Sequence, residues 1–172
     1  MRLFYRISFL LLILLATSCL GPREFSPIAN YDLGKPTQTG VKLNIGTIDQ
    51  NGPYNNKMMY RVSPERIEIQ EYNRWTRSPD LILYDYLRGS FTPGEELILE
   101  GEILSFENNL TNETASFSFY YKITQGGNTV TEGLFQQTEP STDTADEYAS
   151  SMAKMARDLI QEISQKIKTL NN

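Results

Sequence analysis

The sequence predicts an α+β domain in which a mainly antiparallel sheet carries two helices on one face, in the order β-β-β-α-β-β-β-α. Three observations lead there. Ala115, Phe117, Phe119, Tyr121 and Ile123 alternate with Ser116, Ser118, Tyr120, Lys122 and Thr124, the period-two pattern of a strand with one buried face. Ala145, Ala149, Met152, Ala156, Leu159, Ile163 and Leu170 recur at helical steps and form one apolar stripe. Between two groups of strand-like segments, Ser78-Pro79 opens a short run rich in leucine and tyrosine. Helices that each follow a group of strands are expected to cover one face of the sheet those strands build.

The chain of 172 residues begins differently from its body. Arg2 and Arg6 mark a positive start, and Phe9 to Leu15 is an unbroken apolar run. That run is well short of the roughly 20 residues needed to span a bilayer as a helix, so residues 1–18 are expected to be a cleaved export signal. Ala16, Thr17 and Ser18 lead into Cys19, the sole cysteine. This resembles the lipobox of bacterial lipoproteins, in which small residues precede a cysteine whose thiol is acylated before cleavage. A single thiol excludes an internal disulfide and any cysteine-pair zinc site, so stability must come from packing. More than one fatty chain on the new terminus makes retention stable, where one chain alone would be marginal. In such lipoproteins an Asp after the cysteine tends to hold the protein in the inner membrane. Leu20 stands there, and the expectation is the periplasmic face of the outer membrane.

Removing 18 residues leaves 154, enough for one domain and a tether. The formal charge is −5, and −7 once Arg2 and Arg6 are gone. An acidic body argues against phosphate-dominated nucleic-acid binding and against broad adhesion to anionic lipid. The lipid on Cys19 is therefore what is expected to hold the protein at a membrane.

Residues 19–40 read as a flexible lipidated tether, broken by Pro22, Pro27, Pro36, Gly21, Gly34 and Gly40, with a less polar island from Asn30 to Gly34 that could dock as an edge strand. Residues 41–172 read as a single periplasmic domain. Val41, Leu43 and Ile45 alternate as a first strand, and Asp49 to Pro53 is a polar turn. Met58, Tyr60 and Val62 face Ile67 and Ile69 across Ser63-Pro64-Glu65 as a hairpin. Ser78 can cap a helix that has Pro79 at its first position, with Gly89 placed to end it. Leu97, Leu99 and Ile103 begin the second group of strands, and Gln125-Gly126-Gly127-Asn128 is a tight turn into Val130–Gln137. Ser141, Thr142 and Asp143 are alternative caps for the long C-terminal helix, whose stripe reads as core packing.

The chain contains no histidine. That removes Ser-His-Asp and Cys-His catalysis, histidine metal sites and the commonest general base. Glu95-Glu96 follows a Pro-Gly turn, and Glu100 and Glu102 fall on the solvent face of a strand, so no pair of carboxylates is brought together as a glycosidase requires. Asp143, Asp146 and Glu147 read as negative charge at a helix start. Gly126-Gly127 lacks the surroundings of a phosphate loop. Catalytic residues, metal and cofactor are all expected to be none.

Aromatic residues concentrate in the first half: Tyr54, Tyr60, Tyr72, Trp75, Tyr84 and Tyr86. Such side chains serve partner surfaces well, and they also fill the space between helix and sheet. Together with Cys19, the segments Tyr31-Asp32-Leu33, Pro53-Tyr54, Met59-Tyr60-Arg61 and Tyr72 to Trp75, followed by a leucine-bearing helix with Leu83 and Leu87, resemble the ABC-type transport auxiliary lipoproteins, which include the paraquat-inducible protein C-like (PqiC-like) lipoproteins. Thr76 departs from the small residue that commonly follows the tryptophan in that family. The resemblance implies an accessory part of an intermembrane lipid transport system with an MCE-domain partner and phospholipid cargo. It makes Tyr31, Tyr54, Tyr60, Arg61 and Trp75 the candidate partner-binding or family-motif residues. A second expectation is an assembly lipoprotein that plugs or chaperones an outer-membrane β-barrel, and a third is a carboxylate hydrolase of cell-wall sugars.

Overall fold

The computed structural model describes residues 26–170, so the expected export signal and the expected lipobox with Cys19 lie outside the described residues. Seven strands and two helices follow one another as β1 (Ala29–Tyr31), β2 (Asn44–Gln50), β3 (Lys57–Ser63), β4 (Arg66–Trp75), α1 (Pro79–Ser90), β5 (Leu97–Asn109), β6 (Thr114–Gln125), β7 (Asn128–Pro140) and α2 (Ala145–Leu170). With the short β1 set apart, this is the expected order of three strands, a helix, three strands and a helix. No helix among the described residues is long and apolar enough to cross a membrane.

The strands form one sheet in the order β1-β4-β3-β5-β6-β7, with β2 also on β5. The sheet is mainly antiparallel, as expected, and mixed in detail. β3–β4, β5–β6 and β6–β7 are antiparallel, the first and last pairs joined at the two turns expected from the sequence and the middle pair at a turn after Asn109 that was not anticipated. β1–β4, β2–β5 and β3–β5 are parallel. The physical reason is α1, which carries the chain back so that β5 starts at the same end as β2. Alternation of side chains says which face is buried and nothing of which way a neighbour runs.

β2 and β3 lie one after the other along the same edge of β5 and run in its direction. β2 is in register from Asn44 opposite Ile98 to Gln50 opposite Ile103, and β3 takes over at Tyr60 opposite Asn108. The polar segment after Gln50 is therefore an excursion between two collinear strands and not a reversal. Val41 and Leu43 are buried as expected but precede the strand, tied to Thr92 through backbone hydrogen bonds of 2.9 Å.

The buried face of the sheet carries Leu99, Ile103 and Phe106 from β5 and Ala115, Phe117, Phe119, Tyr121 and Ile123 from β6. α1 lies over β2 and β5, and α2 over β6 and β7, so one continuous core fills the space between sheet and helices. The C-terminal stripe is core packing, widened by Tyr148, Met155, Ile160 and Ile167, whereas Leu170 is exposed. The stretch expected as a tether is docked from Ala29 onward. β1 pairs with β4, Leu33 is buried, and Thr39 donates from its backbone to the Ser90 carbonyl at 2.9 Å.

Three local expectations are corrected. Ser78 sits at the helix start but makes no side-chain capping bond. Gly89 lies inside α1, which continues to Ser90; a Cβ at Gly89 would run into the Pro36 ring, so the glycine serves close approach and not termination. The cap of α2 is Thr144, whose hydroxyl accepts the Glu147 N–H at 3.4 Å while the Glu147 carboxylate reaches back to the Thr142 N–H at 3.1 Å. The cap lies one residue beyond the three candidates, and the Glu147 arm departs from a capping box because it bonds Thr142, while the Thr144 N–H donates to the Thr142 hydroxyl at 3.3 Å.

Candidate functional site

The break between β2 and β3 leaves β5 without a strand neighbour on that edge from Leu104 to Glu107. The main chain of Phe106 faces this gap. Buried backbone groups must be paired, and here two phenols do what a strand would have done. The Phe106 N–H donates to the Tyr54 hydroxyl at 3.2 Å, and the Phe106 carbonyl accepts from the Tyr148 hydroxyl at 3.1 Å. Tyr54 is supplied by the excursion itself, and Tyr148 descends from the first turn of α2.

Rings close around that joint. Tyr148 meets Trp75 edge to face at 5.4 Å and Tyr60 at 5.7 Å, and Trp75 meets Phe106 at 5.2 Å. Such geometry adds about 0.5–1.5 kcal/mol per pair beyond the area buried. Tyr31 stands beside Trp75 in the parallel register of β1 and β4, its carbonyl accepting the Thr76 N–H at 2.8 Å. On the opposite face Arg61 grips both oxygens of Glu107, Nε at 2.6 Å and Nη2 at 2.8 Å, and Nη1 donates to the Pro64 carbonyl at 2.9 Å. β3 and β5 share only two register pairs, so this two-pronged bond reinforces a short seam.

Tyr31, Tyr54, Tyr60, Arg61 and Trp75 are thus brought together at one joint. They differ in access. Trp75 and Tyr60 are 1% and 2% exposed, while Tyr31, Tyr54 and Arg61 are half-buried. Burial raises the Tyr54 and Tyr148 phenols and pushes Tyr60 up to about 12, and the nearby Asp146 carboxylate adds to the desolvation that raises Tyr31. All four hydroxyls are protonated at neutral pH. They act as hydrogen-bond partners rather than as nucleophiles. The Tyr60 hydroxyl and the Asn108 carboxamide oxygen, neighbours in register, are buried without a partner among the described residues.

Sequence reasoning missed Tyr148, Phe106, Glu107 and Asn108. Tyr148 could have been found, because it lies on the same helical face as Ala145 and Met152. Phe106 could not, since a register shift between Ile103 and Ser105 breaks the alternation that would have marked it as inward. Cys19 and its neighbours Ala16, Thr17 and Ser18 lie outside the described residues. Among the described residues no group of three or more carboxylates or thiols is placed to hold a metal ion. A broad open concavity of about 740 Å³, lined by Val41, Lys42, Pro93 to Leu97, Ile167 and Lys168, lies away from the joint.

No protein-family model and no curated protein matches the chain. Solved structures do resemble it. One, a crystal structure of an uncharacterized protein, superposes with a TM-score of 0.69 at 17% identity, covering 82% of this chain and 99% of its own. Another, from Xanthomonas campestris and assigned to the domain family of unknown function DUF330, superposes with a TM-score of 0.63 at 13% identity, covering 84% and 96%. At these identities the likeness is one of fold.

Proposed function

We propose that this chain is a membrane-anchored accessory lipoprotein of an ABC/MCE-type intermembrane lipid transport system. Lipid on Cys19 holds it at the periplasmic face of the outer membrane, and the domain docks a periplasm-spanning MCE-domain partner of an assembly whose cargo is phospholipid. Energy coupling belongs to the partners, because the sequence carries no phosphate-loop pattern.

One observation supports this reading above the others. The short segments that carry the family resemblance are scattered from Tyr31 to Trp75, and their residues converge on a single joint that closes the sheet. Convergence is what a shared architecture requires and what unrelated short matches would lack. In this reading the joint shapes the domain, and the docking surface is the side of the sheet that no helix covers.

Deleting the gene and measuring phospholipid distribution between the two membranes tests the proposal. The expected result is an altered distribution, restored by the intact chain and not by a Cys19→Ser chain made at equal level. An unchanged distribution, or full rescue by Cys19→Ser, would count against it.

A further inference from the structure

Among the described residues β7 is an edge strand of the sheet, and the direction of its main-chain groups can be read from its neighbours. Phe135 is buried, so the odd positions turn their side chains inward. Lys166 reaches the Glu132 carbonyl at 3.3 Å and Ser151 the Pro140 carbonyl at 2.8 Å, and Pro140 has no N–H to give to β6. The even positions therefore turn N–H and C=O to the free edge. Side chains of α2 close that edge at Glu132 and at Pro140, leaving a window formed by Leu134, Gln136 and Thr138.

Edge strands are usually guarded by lysine, proline or a bulge. From Thr131 to Glu139 this strand has no Lys, Arg or Pro, and its register irregularity lies before that stretch, opposite Ile123 and Thr124. Beside the window Leu134 is 55% exposed and its cross-strand neighbour Tyr120 is 37% exposed. The outer face leading to the window is acidic: Glu132 lies on β7 itself, Glu100 and Glu102 two strands further in, and Asp49 beyond Glu102, with the one lysine among these strands, Lys122, paired with Glu100 at 3.0 Å. The α2 lysines at this edge are engaged, Lys166 at the Glu132 carbonyl and Lys154 with Glu139 at 2.6 Å.

We propose that this window takes up an extended basic segment of a partner protein as an added strand. The inference rests on the docking role proposed above and names the edge and the chemistry that carry it. Main-chain pairing would supply the hold, Leu134 and Tyr120 would receive an apolar side chain, and the acidic rows would select lysine or arginine at alternate positions. A second copy of this chain would bring the same acidic rows against them, which favours a basic partner.

The test uses the full lipidated chain in detergent micelles, titrated with a synthetic peptide of alternating lysine and valine while backbone amide exchange is followed. Exchange at Leu134, Gln136 and Thr138 is expected to slow about tenfold or more. A peptide of alternating glutamate and valine should leave it unchanged. Gln136→Pro removes an edge-facing N–H without touching the β6 ladder and should abolish the protection at an unaltered unfolding midpoint. Leu134→Lys, which leaves the backbone intact, should weaken it and decides the matter if the proline variant does not fold. Equal protection by both peptides, no protection at these amides, or protection undiminished by the variants would overturn the proposal. The assay needs no MCE-domain protein, so failure of the functional reading would appear separately, as absence of that protein from the isolated complex.

Discussion

At the scale of single residues, the main chain of Phe106 decides what Tyr54 and Tyr148 are for. A buried carbonyl left without its donor costs about 1–3 kcal/mol. Tyr148→Phe is therefore expected to lower unfolding stability by about 1–3 kcal/mol in a urea titration, and Tyr54→Phe by less, because its site is half-buried and water can stand in. Tyr60→Phe should behave oppositely. Its hydroxyl is buried with no partner, so removing it should change stability by less than about 0.5 kcal/mol or raise it. No loss in Tyr148→Phe and Tyr54→Phe, which keep their rings, would show that ring packing, and not the hydroxyls, closes the joint. The same phenols set an alkaline limit. Burial pushes Tyr60 up to about 12 and raises Tyr121 and Tyr148, so the folded state holds these protons beyond the pH at which the unfolded chain releases them. The stabilisation is complete below roughly pH 10, where free tyrosine begins to ionise, and is lost as pH rises from there through the folded values. Tyr148→Phe should make that alkaline decline shallower.

At the scale of elements, the sequence is a good guide wherever a rule is local. The alternation in β6, the Gly126-Gly127 turn, with φ of 56° and 85° that favour glycine, and the stripe of α2 all follow from nearest neighbours. The register of β2 and β3 on one edge of β5 was not legible, because it depends on where α1 returns the chain. Caps divide the same way. The cap of α2 needed only a threonine three residues before Glu147, whereas the silence of the Ser78 hydroxyl reflects a geometry no spacing reports. Thr144→Ala is expected to cost about 1 kcal/mol and Ser78→Ala only a few tenths, read as shifts in the midpoint of urea unfolding. The reverse ranking would mean that α1 relies on its cap and α2 does not.

At the scale of the whole molecule, the site was legible as a set of residues and not as a role. Tyr31, Tyr54, Tyr60, Arg61 and Trp75 could be picked out from the sequence, yet only the fold reveals that they surround one interruption in the sheet, with Trp75 and Tyr60 inside it. Docking of the chain from Ala29 onward also changes the reach of the domain. Ten residue steps separate Cys19 from Ala29. At about 3.3–3.6 Å each they span at most about 35 Å, less than half of what a tether ending at residue 40 would allow. Under the proposed anchoring on Cys19, so short a leash would keep the domain close to its membrane. The most direct measurement is affinity isolation of the full lipidated chain from detergent-solubilised cell membranes, followed by identification of what comes with it. The account predicts recovery of an MCE-domain protein together with its permease and ATPase. Recovery of an outer-membrane β-barrel protein without any MCE-domain protein would contradict it.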